Sequence, residues 1–208
     1  MWSRWLAGVS LAAPDAAALD RLVTQLGDDE VISHLLHITA ISLLRQGTIE
    51  AGLQSVQTAA AMAQRVGSLR SELLALEVLA ETYCYLGNTA GAIKVAEQAL
   101  AISSRLEHGP AGVSLPALQV LATAHWLAGN DEAAMEAAQR LVVISHPSNA
   151  GQRPLHLSSW TEAHRALLLF GQSNLLPNMA VLEADRPVCM TCDITWLIVA
   201  GQAQAQRG

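Results

Sequence analysis

Three places in the chain hold residue types at spacings that could do chemistry. Cys189-Met-Thr-Cys192 is a CxxC pair, the spacing of a two-thiolate metal corner or of a redox dithiol. His34 and His37 stand three apart, so on a helix their imidazoles share a face, as two-point metal ligation requires. Glu77 and Glu81 stand four apart. Like charges at that spacing weaken a helix slightly, and a cation placed between them relieves the repulsion.

Each falls short of a reaction. Structural zinc takes about four ligands and a lone CxxC supplies two. His146, His156 and His164 complete a set only if the fold gathers them, and Pro154 with Ser158-Ser159 reads as a helix start between the last two. No strand-rich pattern surrounds the cysteines, as a thioredoxin-like dithiol would have. The plainer reading is two small residues near a fraying C-terminus. The two histidines have no carboxylate companion beside them, since Asp28, Asp29 and Glu30 come a turn or more earlier. Gly-rich phosphate loops, HExxH and GxSxG are absent. The sequence therefore predicts no catalytic residues, no metal and no cofactor.

The elements that would position these side chains are announced by the glycines. Gly47, Gly87, Gly129 and Gly171 are spaced by 40, 42 and 42 residues. Gly27, Gly67, Gly109 and Gly151 repeat the same spacings, offset by 20. Each ends an apolar-periodic stretch, where a helix C-terminus favours a residue tolerant of left-handed backbone angles. Between them, Leu73, Leu76, Leu79, Ala80 and Tyr83 recur at i, i+3 and i+4, as do Ile93, Ala96, Leu100 and Ile102. The chain reads as a row of helical hairpins whose helices are roughly 21–27 Å long.

Composition agrees. Of 208 residues, 51% are apolar, 14% charged and 4% aromatic, which is helix-packing material with ample core. Net charge is −6 and Lys94 is the single lysine, so no basic stripe marks a nucleic-acid site. The longest apolar run, Trp196–Ala200, is too short to cross a bilayer. WLAGVSLAA near the start has the outline of a signal-peptide core, but Gly and Ser interrupt it. Three cysteines make a poor disulfide framework, which favours the cytoplasm.

The run LxxLAxxYxxLGxxxxAIxxAxxAL at Leu76–Leu100 resembles the tetratricopeptide repeat (TPR). The resemblance covers Val31 to Ser145 well and the rest weakly. With repeats of 40–42 residues instead of 34, it is similar to the long repeats of kinesin light chains and of large bacterial transcription activators. It implies an all-α, right-handed α-solenoid of antiparallel helical hairpins. In that family small residues sit where the two helices of a hairpin cross. Those positions are Ala40 with Gly52, Ala80 with Ala92, and Ala122 with Ala134. The fourth hairpin departs, with His164 and Leu176 there and Pro177 in its second helix.

Trp5-Leu6-Ala7-Gly8 repeats Trp126-Leu127-Ala128-Gly129, and Gly8 stands 19 residues before Gly27. Residues 1–30 thus read as a partial leading repeat, either the start of a piece of a longer solenoid or an N-terminal cap. Residues 31–187 read as the hairpins, and 188–208 as a C-terminal helix with a frayed tail. Solenoid ends need polar caps, so uncapped repeats predict self-association.

By the family's pattern the first helix of each hairpin lines a concave face. The partner-binding positions it implies are His34, His37 and Arg45; Glu77, Glu81 and Tyr85; Gln119, Thr123 and Trp126; and Glu162 with Arg165. The expected function is a non-enzymatic module that holds a protein or peptide, basic or apolar, in this groove. It would serve as an adaptor or as the sensing arm of a larger regulator, with no nucleic-acid or membrane partner. The alternative is a small-molecule-sensing segment of a bacterial transcription regulator.

Overall fold

The computed structural model describes Arg21, residues 28–106 and residues 113–145. Six α-helices follow one another: α1 (Asp29–Arg45), α2 (Ile49–Val66), α3 (Leu69–Tyr85), α4 (Thr89–Arg105), α5 (Leu115–Leu127) and α6 (Asp131–Ser145). No strand occurs among the described residues. The leading half-repeat up to Gly27, the fourth hairpin and the C-terminal helix expected from the sequence lie outside them.

Helix starts are written in side chains. Asp28 accepts the backbone N–H of Glu30 at 3.0 Å and of Val31 at 3.3 Å, which sets the start of α1. Asn88 accepts the N–H of Gly91 at 3.0 Å, and Ser114 that of Ala117 at 3.1 Å. Helix ends are written in the glycines. Gly47, Gly67, Gly87 and Gly129 take φ of +79°, +72°, +73° and +75°, the left-handed region that costs any other L-residue steric strain. At each, the N–H of the next residue reaches back five positions to close the helix: Thr48 to Leu43, Ser68 to Ala63, Asn88 to Tyr83 and Asn130 to His125. The expected punctuation holds at all four; Gly109 lies outside the described residues.

The hairpins pair α1 with α2, α3 with α4 and α5 with α6, and each packs on the next through α2–α3 and α4–α5. Ala40, Ala80, Ala92 and Ala134 are wholly buried, Ala122 nearly so, and Gly52 is buried opposite Ala40. All six small residues are thus buried, and Gly52 lies against Ala40. Val56, Leu76, Leu79, Val95, Ile102, Val120 and Leu121 fill the space around them in one continuous core. Leu118 and Leu141 close a second cluster between α5 and α6. Buried hydroxyls are satisfied by carbonyls: Ser33 donates to Ala59 at 2.9 Å across the first hairpin, and Thr82 to Val78 at 2.7 Å within α3.

Two glycines should respond to alanine for different reasons. At Gly129 a Cβ meets nothing within 4 Å, so Gly129→Ala carries only the left-handed backbone cost, about 1–2 kcal/mol. At Gly52 a Cβ falls 2.7 Å from Leu44 Cγ and 3.3 Å from the Ala40 carbonyl. The helix propensity gained there, about 1 kcal/mol, is outweighed by overpacking of about 1–3 kcal/mol. Urea midpoints should fall for both variants.

Candidate functional site

The repeat makes two layers. First helices touch in succession, α1 to α3 and α3 to α5, whereas second helices make little or no contact with one another. The implied binding positions that are described belong to the first-helix layer. Within the described chain they are His34 and His37 on α1, Glu77, Glu81 and Tyr85 on α3, and Gln119, Thr123 and Trp126 on α5. The side chain of Arg45, and both Glu162 and Arg165, lie outside the described residues.

His34 and His37 are half-buried with ring centroids 6.2 Å apart. Burial, with a smaller contribution from the neighbouring His34, lowers the His37 pKa to about 4. A hydrogen bond to the Leu74 backbone of α3 works the other way. His37 Nδ1 is buried without a partner, which suits a neutral ring donating through Nε2. His37 is thus committed to the junction between the first two hairpins. Among the described residues no group of three or more His, Cys, Asp or Glu side chains is placed to hold a metal. Cys189 and Cys192 lie outside them.

The two glutamates separate in role. Glu77 is half-buried and accepts the Ser114 hydroxyl at 2.6 Å. Burial pushes its carboxyl up to about 7; the Ser114 hydrogen bond pulls it down and the nearby Glu81 adds to the rise. Ser114 is also the cap of α5. Glu77 therefore ties α3 to the start of the next first helix. Glu81 is exposed, and its Oε1 accepts the Tyr85 hydroxyl at 3.1 Å. The sequence places the pair on one helix face as partner-binding positions and assigns no role to Ser114. The available signal was Ser114-Leu-Pro116, a capping residue ahead of a first-turn proline.

His37, Glu77 and Gln119 each stand three residues before the small crossing residue of their hairpin, Ala40, Ala80 and Ala122. At the first two, a polar side chain at one repeat position reaches forward to the next first helix. On α5, Thr123 donates to the Gln119 carbonyl at 3.1 Å within its own helix. Tyr85 is 81% exposed and Trp126 39%. Cys84 is half-buried, and burial together with Glu81 raises its thiol pKa, which disfavours a reactive thiolate.

The Glu77 junction predicts a pH response of definite sign. Its folded pKa, about 7, lies above the ordinary 4.5, so the neutral form is the one the fold favours. The stability tied to that proton is complete below about pH 4.5 and is lost as pH rises through 7. Glu77→Gln keeps an oxygen for Ser114 and removes the charge. Its stability relative to wild type should be level in acid and should gain on the order of 2 kcal/mol by pH 8.5, measured by urea unfolding across the range. His37, with its pKa depressed from 6.5 to about 4, has the opposite limb: its contribution is complete above 6.5 and is lost as pH falls toward 4.

No protein-family model matches the chain, and no curated protein matches it in sequence. Solved structures do. The nearly identical TPR-like repeats of a kinesin-light-chain-type protein from Podosopora anserina align over 92% of this chain and 86% of theirs, at 20% identity and a TM-score of 0.56. A single-substitution variant of that protein aligns over 93% and 87%, at 21% identity and a TM-score of 0.57. At such identity the likeness is one of fold, and the fold of this chain is a TPR-like repeat, an all-α solenoid of antiparallel helical hairpins.

Proposed function

We propose that the array is a non-enzymatic interaction module that holds a protein or peptide along the layer formed by α1, α3 and α5. The observation that carries this reading is the succession of first helices, whose outward positions are not consumed by the core. Glu81 and Trp126 are exposed there, Tyr85 more so, and Gln119 and Thr123 stay half-exposed beside them. A surface built by identical repeats can follow an extended partner over its whole length. Repeat folds of this type are generally scaffolds, and the neighbouring structures are TPR-like arrays.

Charge narrows the partner. Glu81 places a carboxylate on the layer, and Glu77 adds a carboxyl that a nearby cation would help to ionise. Clamping of a C-terminal carboxylate is disfavoured there, and a basic or apolar segment is favoured. No helix among the described residues is long and apolar enough to cross a membrane. We assign the module to the cytoplasm, as an adaptor or the sensing arm of a larger regulator.

Affinity capture from lysate tests the reading. Gln119→Arg with Thr123→Arg places two bulky cations in the middle of the layer without touching the crossings. Proteins retained by the wild type should fall at least tenfold with this variant, while its helical circular dichroism stays unchanged. Equal capture by both would remove the first-helix layer as the binding face.

A further inference from the structure

The fold leaves an apolar edge uncovered. Large apolar side chains exposed in the described chain are Val31, Val66, Tyr85, Leu86, Trp126, Leu127 and Val143. Four of these seven cluster by position: Tyr85 and Leu86 end α3, and Trp126 and Leu127 end α5, and those two helices touch. The 42-residue repeat makes Leu127 the counterpart of Tyr85, so both project from the same place in successive hairpins. Leu86 and Leu127 are each 50% exposed and Tyr85 81%, so folding gains little from them. Tyr and Trp at such an edge are the side chains that most often anchor a partner.

The exposed charged side chains described beside this edge are acidic apart from Lys94. Glu81 holds the Tyr85 hydroxyl, and Asp131 and Glu132 open α6 just past the turn that follows Leu127; all three are exposed. Arg65, Arg70 and Arg105 stand at the other ends of their helices and Arg140 in the far half of α6, while Arg45 ends α1. Lys94, in the second turn of α4, is the one cation on the near half of these two hairpins whose side chain is described. An apolar ridge with an acidic rim complements a segment whose apolar residues are flanked by lysine or arginine, and it repels an acidic one.

We infer that the edge formed by Tyr85, Leu86, Trp126 and Leu127, rimmed by Glu81, Asp131 and Glu132, docks a cationic amphipathic helical segment of another protein. This rests on the reading of the array as a protein-binding module and specifies the chemistry of what it takes. The segment's apolar side chains lie on the aromatic and leucine ridge, and its cations meet the three carboxylates. Binding therefore weakens with salt as well as with loss of the ridge.

Fluorescence anisotropy with labelled synthetic peptides decides it. The probe is a short leucine–lysine peptide in amphipathic helical order. A leucine–glutamate peptide of the same order and a serine–lysine peptide serve as controls. The leucine–lysine peptide should bind, and Tyr85→Ala with Leu127→Ala should weaken it at least tenfold. Asp131→Asn with Glu132→Gln should weaken it severalfold, and both controls should bind far less. All four positions are exposed, so these variants keep the fold. Binding that the ridge variant leaves unchanged, or equal binding of the leucine–glutamate peptide, overturns the inference. So does sedimentation in which the ridge variant converts a dimer to a monomer that the peptide does not compete for, since the occupant is then a second copy. The lysate capture separates the two levels. Loss of captured protein with Gln119→Arg/Thr123→Arg but no peptide binding at the edge sinks this inference and leaves the module reading standing. Peptide binding at the edge with unchanged capture does the reverse for the first-helix layer.

Discussion

The close crossing of two helices at paired small residues is the constraint from which the rest of the structure follows. Ala40 and Gly52, Ala80 and Ala92, and Ala122 and Ala134 are all small and all buried, and Gly52 lies against Ala40. Helix axes approach closely there, and the larger residues must interdigitate around that point. Leu76, Leu79, Val95 and Ile102 then have one place to go, the seam between neighbouring helices and hairpins. The same geometry forces a sharp reversal after each first helix, which a left-handed glycine supplies at Gly47, Gly87 and Gly129. Gly52 shows how little slack remains, because even a methyl there would press on Leu44 and on a backbone carbonyl.

Stacking such hairpins divides the polar side chains into two kinds. Some are spent on joining one repeat to the next. Ser68 donates to Glu30 at 2.7 Å, and Gln57 Nε2 donates to the Tyr83 hydroxyl at 3.2 Å. His37 reaches α3, and Glu77 reaches the cap of α5. The Arg65–Asp29 ion pair at 2.6 Å joins the ends of the first hairpin, but it is exposed and contributes little. Others stay exposed, and Glu81, Tyr85 and Trp126 are among them. A binding surface in a repeat protein is this remainder, so identifying it requires knowing which residues the junctions have used.

That division explains what could be read from the sequence. Helices, turns and crossings were legible because each depends on residues within one hairpin: an apolar period, a glycine at a fixed interval, a small residue at a fixed phase. Glu77 was not. Its neighbour in the sequence sense is Glu81, four residues on, and that spacing alone suggests a pair of solvated charges. Its neighbour in space is Ser114, 37 residues away; burial at that junction favours the neutral carboxyl, and the Ser114 hydrogen bond works against it. Tyr85 and Trp126 were legible in phase, because helical periodicity points them away from the core. The uncovered ridge they make with Leu86 and Leu127 needed the contact between α3 and α5.

The two junction residues also limit how the array can respond as a whole. In a solenoid each hairpin interacts with its neighbours alone, so stability is close to a sum of local terms. His37 and Glu77 occupy one repeat position, yet burial keeps the first from gaining a proton and the second from losing one. Acid therefore loads the α1–α3 junction and base loads the α3–α5 junction. Because the loads fall on different seams, neither compensates the other by contact. A partner lying along the first helices spans both seams at once, and it would couple what the fold itself keeps separate. Burial favours the neutral form at both positions, and a ligand charge nearby would shift that balance. The side chains that hold the repeats together thus also set the electrostatic terms on which anything can bind across them.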